Sequence, residues 1–259
     1  MEKIRLEIID RVSEYFRNKN YVQACWLGWS DANNETDQYS DIDYFICAND
    51  EKIDFIFEEV QKILWKIWTL DYISTIYDSS NQKWQTFHIS WTPESLHIEV
   101  WLIKKSIWMT FENWNPAFKP KIIFDKDNII KFKEIDKIKL TNSIIQSLGE
   151  YKDFVKEYAR VEKYIKRWNY IEATNYYIKY IFMPLVGVLR IYYTPILYNW
   201  WRIHISRHFP NDIVIKLEQL MKFNSFDDLE KNLNSAQKWF WEIVKNIEEK
   251  NDLLIIDLK

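Results

Sequence analysis

Glycine is almost missing from this chain. At the usual ~7% a protein of this length would carry about 18 glycines, and this one has 3 in 259 residues. Turns that need a positive φ draw on glycine because it has no Cβ. Such turns must be built here from something else. Cysteine is also scarce. Cys25 and Cys47 both fall in predicted strands, which excludes a disulfide framework and reads as two small buried hydrophobes in a reducing compartment. No apolar run has the length needed to span a bilayer. The start of the chain, Met-Glu-Lys-Ile-Arg-Leu-Glu, is charged from its second residue and lacks a signal-peptide core. A cytoplasmic protein without a membrane partner is expected. Charge of one sign is lacking too. Thirty-five basic residues against 38 acidic ones leave a net charge of −3, which excludes both a strongly basic nucleic-acid binder and an acidic disordered chain. There is no repeat, low-complexity tract or Gly/Ser/Pro-rich linker.

What the chain has in excess is tryptophan, 14 residues. Several stand where a turn is expected. Trp29 lies between Gly28 and Ser30, Trp91 precedes Thr-Pro, Trp114 sits in Glu-Asn-Trp-Asn-Pro and Trp168 in Lys-Arg-Trp-Asn-Tyr. Two readings stand side by side. One is an aromatic-rich protein that happens to be poor in glycine. The other is a gene from a genome in which UGA encodes glycine, read here as tryptophan. The codons at these positions separate the two.

Hydrophobic periodicity divides the chain in two. Ile4, Ile8, Val12 and Phe16 mark an amphipathic helix over 3–17. A buried strand is expected over 21–28, a polar loop over 31–40 and an alternating strand over 41–47. A helix over 53–64 follows, then strands at 70–77, 84–90 and 96–104 and a short hairpin over 121–132. From about residue 138 the spacing is helical, with Leu140, Ile144, Leu148, Tyr151 and Val155 in phase. Further helices are expected over 170–193, 211–221 and 235–249, and Pro184 and Pro195 should kink or end the first of these. The fold class is α+β, a mixed sheet flanked by helices over residues 1–135, followed by a helical bundle over 136–259.

The chemistry-bearing feature is Ser-Asp-Ile-Asp at 40–43. Residues i and i+2 of a strand point to one face, so Asp41 and Asp43 present two carboxylates about 7 Å apart along the chain. Ile42 and Tyr44 face the other way, toward the core. Two like charges so close are costly unless a cation neutralises them, and a hard divalent ion such as Mg²⁺ takes carboxylate oxygens plus substrate phosphates. Glu99 stands alone among apolar residues in Leu-His-Ile-Glu-Val-Trp-Leu-Ile, where a charged side chain calls for a partner or a metal. Each feature alone is common; Asp-X-Asp is usually solvated. Together, strand, Gly-X-Ser, polar loop, Asp-X-Asp and a distant strand with an embedded Glu are more specific.

Those residues carry a resemblance. "LGWSDANNETDQYSDIDYFI" is similar to the signature of the nucleotidyltransferase superfamily, and "LHIEVWLI" resembles its third-acid strand. The two-part layout resembles the aminoglycoside- and lincosamide-type antibiotic nucleotidyltransferases, which pair a catalytic domain with a helical bundle. The motifs cover about residues 20–105. The resemblance implies that Asp41 and Asp43 bind Mg²⁺ and that Glu99 is the third acid, a metal ligand or general base. It implies that Gly28, Trp29 and Ser30 form the turn whose N–H groups meet the phosphates of an NTP, ATP above others. The departure is Trp29, where the pattern has glycine or serine. The implied reaction moves an NMP, AMP above others, onto a hydroxyl of a small molecule, antibiotic-like in class. Two alternatives stay open: transfer to RNA or protein, as in toxin–antitoxin nucleotidyltransferases, and a degenerate non-catalytic member. Without a basic cluster, a nucleic-acid partner is not expected. Acceptor identity and oligomeric state are not written in the sequence.

His204 and His208 share the i, i+4 spacing of a zinc pair but lack the accompanying Glu. His88 and His97 read as structural histidines. Arg190, Arg202 and Arg207 suit ion pairing, or a triphosphate contact. Tyr176, Tyr177, Tyr180, Tyr192 and Tyr193 read as helix packing.

Overall fold

The apolar phase of the first segment becomes helix α1, Glu2–Arg17, which buries Ile8, Ile9, Val12 and Phe16. The computed structural model describes residues 2–79, 82–107, 109–113 and 119–249. Contacts divide the chain into two units, Met1–Ile135 and Asp136–Lys259.

In the first unit, strand β1 (Val22–Leu27) leads through a short helix α2 (Trp29–Asn33) to β2 (Ile42–Ala48), and helix α3 (Ile53–Ile67) follows. Then come β3 (Leu70–Ile73), β4 (Tyr77–Asp78), β5 (Gln82–Ile89), β6 (Ile98–Lys104), β7 (Thr110–Glu112), β8 (Lys121–Asp125) and β9 (Lys131–Lys133). The main sheet runs β3-β5-β6-β2-β1-β8, with β4 paired to β5. It is mixed: β2 and β6 are parallel, and the other pairs are antiparallel. The even-numbered residues of β2 and β6 (Ile42, Tyr44, Ile46; Ile98, Val100, Leu102) share one core with the buried faces of α1 and α3. A fully buried aliphatic side chain of this kind contributes about 1.5–3 kcal/mol over an exposed one. The odd-numbered residues point to the opposite face. There Trp26, Phe45, Trp101, Trp84 and Tyr77 stack in sequence across five strands, with ring centroids 4.8–5.9 Å apart.

The sequence reading needs three corrections in this unit. Residues 29–33 of the expected turn and loop are helical. The strand expected over 70–77 is two pieces, β3 and β4. The segment 121–132 is not a hairpin: β8 joins the edge of the main sheet beside β1, while β9 pairs in parallel with β7 in a separate two-stranded sheet. The Asp125 carboxylate explains the split. It accepts the N–H groups of Ile129 and Ile130, both at 2.9 Å, and turns the chain away from β8.

The second unit contains α4 (Lys137–Lys156), α5 (Ala159–Lys166), α6 (Tyr170–Tyr177), α7 (Met183–Tyr193), α8 (Ile205–His208), α9 (Asn211–Leu220) and α10 (Phe226–Glu249). Asp136 caps α4 by accepting the Lys139 N–H at 2.9 Å. Pro184 does not end the helix of the 170–193 segment. A π-helical turn, Ile178–Phe182, precedes it and places Pro184 at the start of α7, where its missing N–H costs little. The chain does leave the helix before Pro195. The last helix begins earlier than the expected residue 235, because Leu229 and Leu233 extend its buried stripe. The tyrosines pack: Tyr177 is fully buried in the helical core, and Tyr176 stacks between Tyr164 and Tyr180. Among the described residues, no helix is long and apolar enough to cross a membrane.

Candidate active site

Parallel pairing of β2 and β6 puts Asp43 directly opposite Glu99. Directly paired residues of neighbouring strands project to the same face, so both carboxylates stand on the face away from α1 and α3. Asp41 sits just before β2, and the N–H of Ile42 donates to the His97 carbonyl (2.8 Å), which holds the starts of the two strands together. The structure therefore brings Asp41, Asp43 and Glu99 together. The turn at 28–30 joins them: the Gly28 N–H donates to the Asp43 carbonyl at 3.1 Å.

The electrostatics are strained. Asp43 is 5% exposed, and its carboxyl is pushed up to about 8, first by burial and then by the negative charges of Asp41, Glu99 and Asp31. Burial also raises Asp41, partly offset by its own backbone N–H and by Arg5 and His97. Glu99 is raised by burial and by the charge of Asp41. The Trp101 indole N–H is buried and meets no partner at hydrogen-bond geometry, but it lies near enough to Glu99 to favour the anion. The Ser30 hydroxyl is another buried polar atom without a partner.

Sequence reasoning missed the brace beneath this cluster. Arg5 of α1, itself buried, clamps the buried Asp31 through two hydrogen bonds, one of them 2.9 Å, and also donates to the Asp41 carbonyl at 2.6 Å. No spacing rule links residues 26 apart on different elements; Asp31 reads locally as a turn residue. His97, which reads from the sequence as structural, lies beside the cluster, and its imidazole lowers both Asp41 and Glu99. His88 is structural, donating to Asp71 (2.6 Å) with its other nitrogen 3.1 Å from the Pro93 carbonyl.

An all-oxygen donor set whose charge Arg5 and His97 only partly offset fits a hard divalent ion. The three carboxylates are near neighbours, but they are not drawn to ligating distance: among the described residues no three His, Cys, Asp or Glu side chains form a group that could hold a metal. The His204–His208 pair is no exception. His204 precedes α8, and the Nδ1 of His208 is 2.9 Å from the Arg190 guanidinium. Arg190 is fully buried and spans the Trp201 and Ile203 carbonyls. It is a brace of the helical unit.

No protein-family model matches the chain, and no curated protein matches it. Among solved structures it is similar to an aminoglycoside 6-adenyltransferase from Bacillus subtilis, at 13% identity over 96% of this chain and 93% of that one, with a TM-score of 0.37. It is also similar to a nucleotidyltransferase-like protein from Exiguobacterium sibiricum, at 12% identity over 93% of this chain and 73% of that one, with a TM-score of 0.38.

Proposed function

We propose that this protein is a Mg²⁺-dependent nucleotidyltransferase that moves the NMP of an NTP, AMP from ATP above others, to a hydroxyl of a small antibiotic-like molecule in the cytoplasm. One observation carries the reading. Asp43 and Glu99 are in register across a parallel strand pair, with Asp41 at its start and the Gly28–Ser30 turn tied to it by hydrogen bond. Residues implied separately by a sequence signature thus occupy one end of one sheet.

Asp41 and Asp43 would hold the metal once drawn to ligating distance, with Glu99 beside them as the third acid. When bound, Mg²⁺ supplies charge neutralisation on the triphosphate and on the leaving pyrophosphate. The protein's own residues do the rest. Burial disfavours the charged forms of Asp43 and Glu99 more than Arg5 and His97 compensate, and a bound cation would relieve this. Arg5 fixes the backbone at Asp41 so that this carboxylate need not be ordered at each turnover. Glu99 accepts the proton of the acceptor hydroxyl as that oxygen attacks the α-phosphorus in line with the departing pyrophosphate. The backbone N–H groups of residues 29 and 30 and the Ser30 hydroxyl would donate to phosphate oxygens. The helical unit, residues 136–259, would bind the acceptor.

The test is incubation with Mg²⁺, labelled NTPs and a panel of aminoglycosides and lincosamides, with Asp43→Asn as control. Label on an antibiotic, absent with D43N, is the expected result. Label on RNA or protein alone moves the assignment to a macromolecular acceptor. No transfer to any acceptor overturns the enzymatic reading.

A further inference from the structure

We propose that positions 29, 91, 168 and 201 are glycine positions. The functional protein would carry glycine there because its gene uses UGA as a glycine codon. Only the consequence at position 29 rests on the nucleotidyltransferase reading; the other three stand on backbone geometry.

Seven described residues other than glycine have positive φ, and four are tryptophan: Trp29 (46°), Trp91 (69°), Trp168 (57°) and Trp201 (51°). The other three are Asn34, Asn128 and His204, types that visit the left-handed region several times more often than most residues do. Tryptophan has no such tolerance, since its Cβ meets the following carbonyl oxygen. The real glycines show the reverse. None has a positive φ, and Gly149 and Gly187 lie inside α4 and α7. The described positions whose positive φ calls for glycine hold tryptophan, whereas no glycine has a positive φ and two of the three lie in helices.

Two of the sites have the form of a known glycine position. At α5 the Trp168 N–H donates to the Ile165 carbonyl (3.0 Å) and the Asn169 N–H to the Tyr164 carbonyl (3.1 Å). With Arg167 as C-cap, this is the Schellman pattern, whose residue beyond the cap is left-handed and usually glycine. Trp91 is the third residue of the turn Ile89–Thr92, closed by the Thr92 N–H on the Ile89 carbonyl (3.2 Å). A positive φ there is the requirement of a type II turn, filled by glycine or asparagine. Trp201 bends the chain where its carbonyl receives the buried Arg190 at 3.0 Å, a contact that needs the backbone and not the indole. Trp29 opens α2 beside Gly28. Nor does burial explain the indoles at the two clearest turns. Trp91 is 90% exposed and Trp168 78%, although Trp168 touches Phe226 edge-on.

Other tryptophans belong where they are. Trp26 and Trp239 are core residues, and no described tryptophan besides the four has a positive φ. Trp114, suspected from sequence, lies outside the described residues. The proposal therefore sorts tryptophans within one gene: UGA at 29, 91, 168 and 201, and UGG at 26 and 239.

The first test reads those codons and weighs the matching peptides of the protein from its own cells. Peptides lighter by an indolylmethyl group exchanged for hydrogen are expected at the four sites, and intact tryptophan at 26 and 239. UGG at the four sites, or full-mass peptides there, overturns the proposal. The second test measures stability. Trp91→Gly and Trp168→Gly should shift the folding equilibrium about two- to tenfold toward the native state, as relief of the left-handed strain outweighs the looser unfolded chain. Trp65→Gly, half-exposed in the last turn of α3 at a helical φ, should shift it the other way. Loss of stability in both W91G and W168G overturns the proposal. Trp29→Gly should raise NTP transfer. If W91G and W168G stabilise while W29G transfers nothing, the glycine assignment stands and the nucleotidyltransferase reading falls.

Discussion

Replacing Asp43 by asparagine should make the metal-free protein more stable while abolishing its activity. Asp43 is almost fully buried, and its carboxyl is raised from 3.8 to about 8 by burial first and by its acidic neighbours second. At pH 7 the unfolded chain has an ionised Asp43, so folding must either take up a proton or bury a charge. For a lone group, holding that proton at pH 7 costs about 4 kcal/mol, at about 1.4 kcal/mol per unit. Asp41 and Glu99 share the repulsion, so one amide should recover about 1–4 kcal/mol. The sign follows from linkage. Between about pH 4 and pH 8 the folded group holds a proton that the unfolded group has released, so wild-type stability falls as pH rises. The D43N curve should be flatter. Urea denaturation in chelator at pH 5 and pH 7 measures both. Mg²⁺ at a hundredfold excess over its Kd should return about 2.7 kcal/mol to the wild type and far less to the variant. A D43N protein less stable than wild type in chelator at pH 7, or equal Mg²⁺ stabilisation of the two, would refute the reasoning.

Arg5→Met should cost about 3–5 kcal/mol, because it leaves the buried Asp31 without its counter-charge; adding Asp31→Asn should restore most of that, read as the urea midpoint. The two helical glycines should respond oppositely to alanine. Gly149→Ala meets nothing within 4 Å and should gain about 0.8–1 kcal/mol of helix propensity. At Gly187 a new Cβ would lie 2.4 Å from the Tyr151 ring, and that overpacking should cost about 1–3 kcal/mol, more than the propensity gain; thermal denaturation of both variants checks the signs. Burial pulls the His88 imidazolium down, but the Asp71 hydrogen bond and the Pro93 carbonyl outweigh it and the pKa is raised. The stability this adds is full below about pH 6.5 and is lost as pH rises through the folded pKa. Asp71→Asn should lower that pKa in an NMR titration and remove at most about 1 kcal/mol at pH 5.5, because Asp71 is half-exposed.

Local periodicity determined much of this protein from sequence alone. A helix repeats every few residues and a strand every second one, so the stripe of α1, the strand over Ile42–Ala48 and the change to helical spacing near residue 138 were all legible. The excess of tryptophan in turn contexts was legible too, because φ is a property of one residue. What the sequence could not determine is whatever depends on partners distant in the chain. The parallel register that sets Glu99 opposite Asp43, the Arg5 clamp on Asp31 and the Asp41 carbonyl, and the departure of β8 and β9 to different sheets are all of this kind. Pairing energy between strands depends weakly on residue type and strongly on what else is already packed. A one-residue slip would have turned Glu99 into the core, and only the assembled sheet, with Ile98 and Val100 buried against the helices, excludes it.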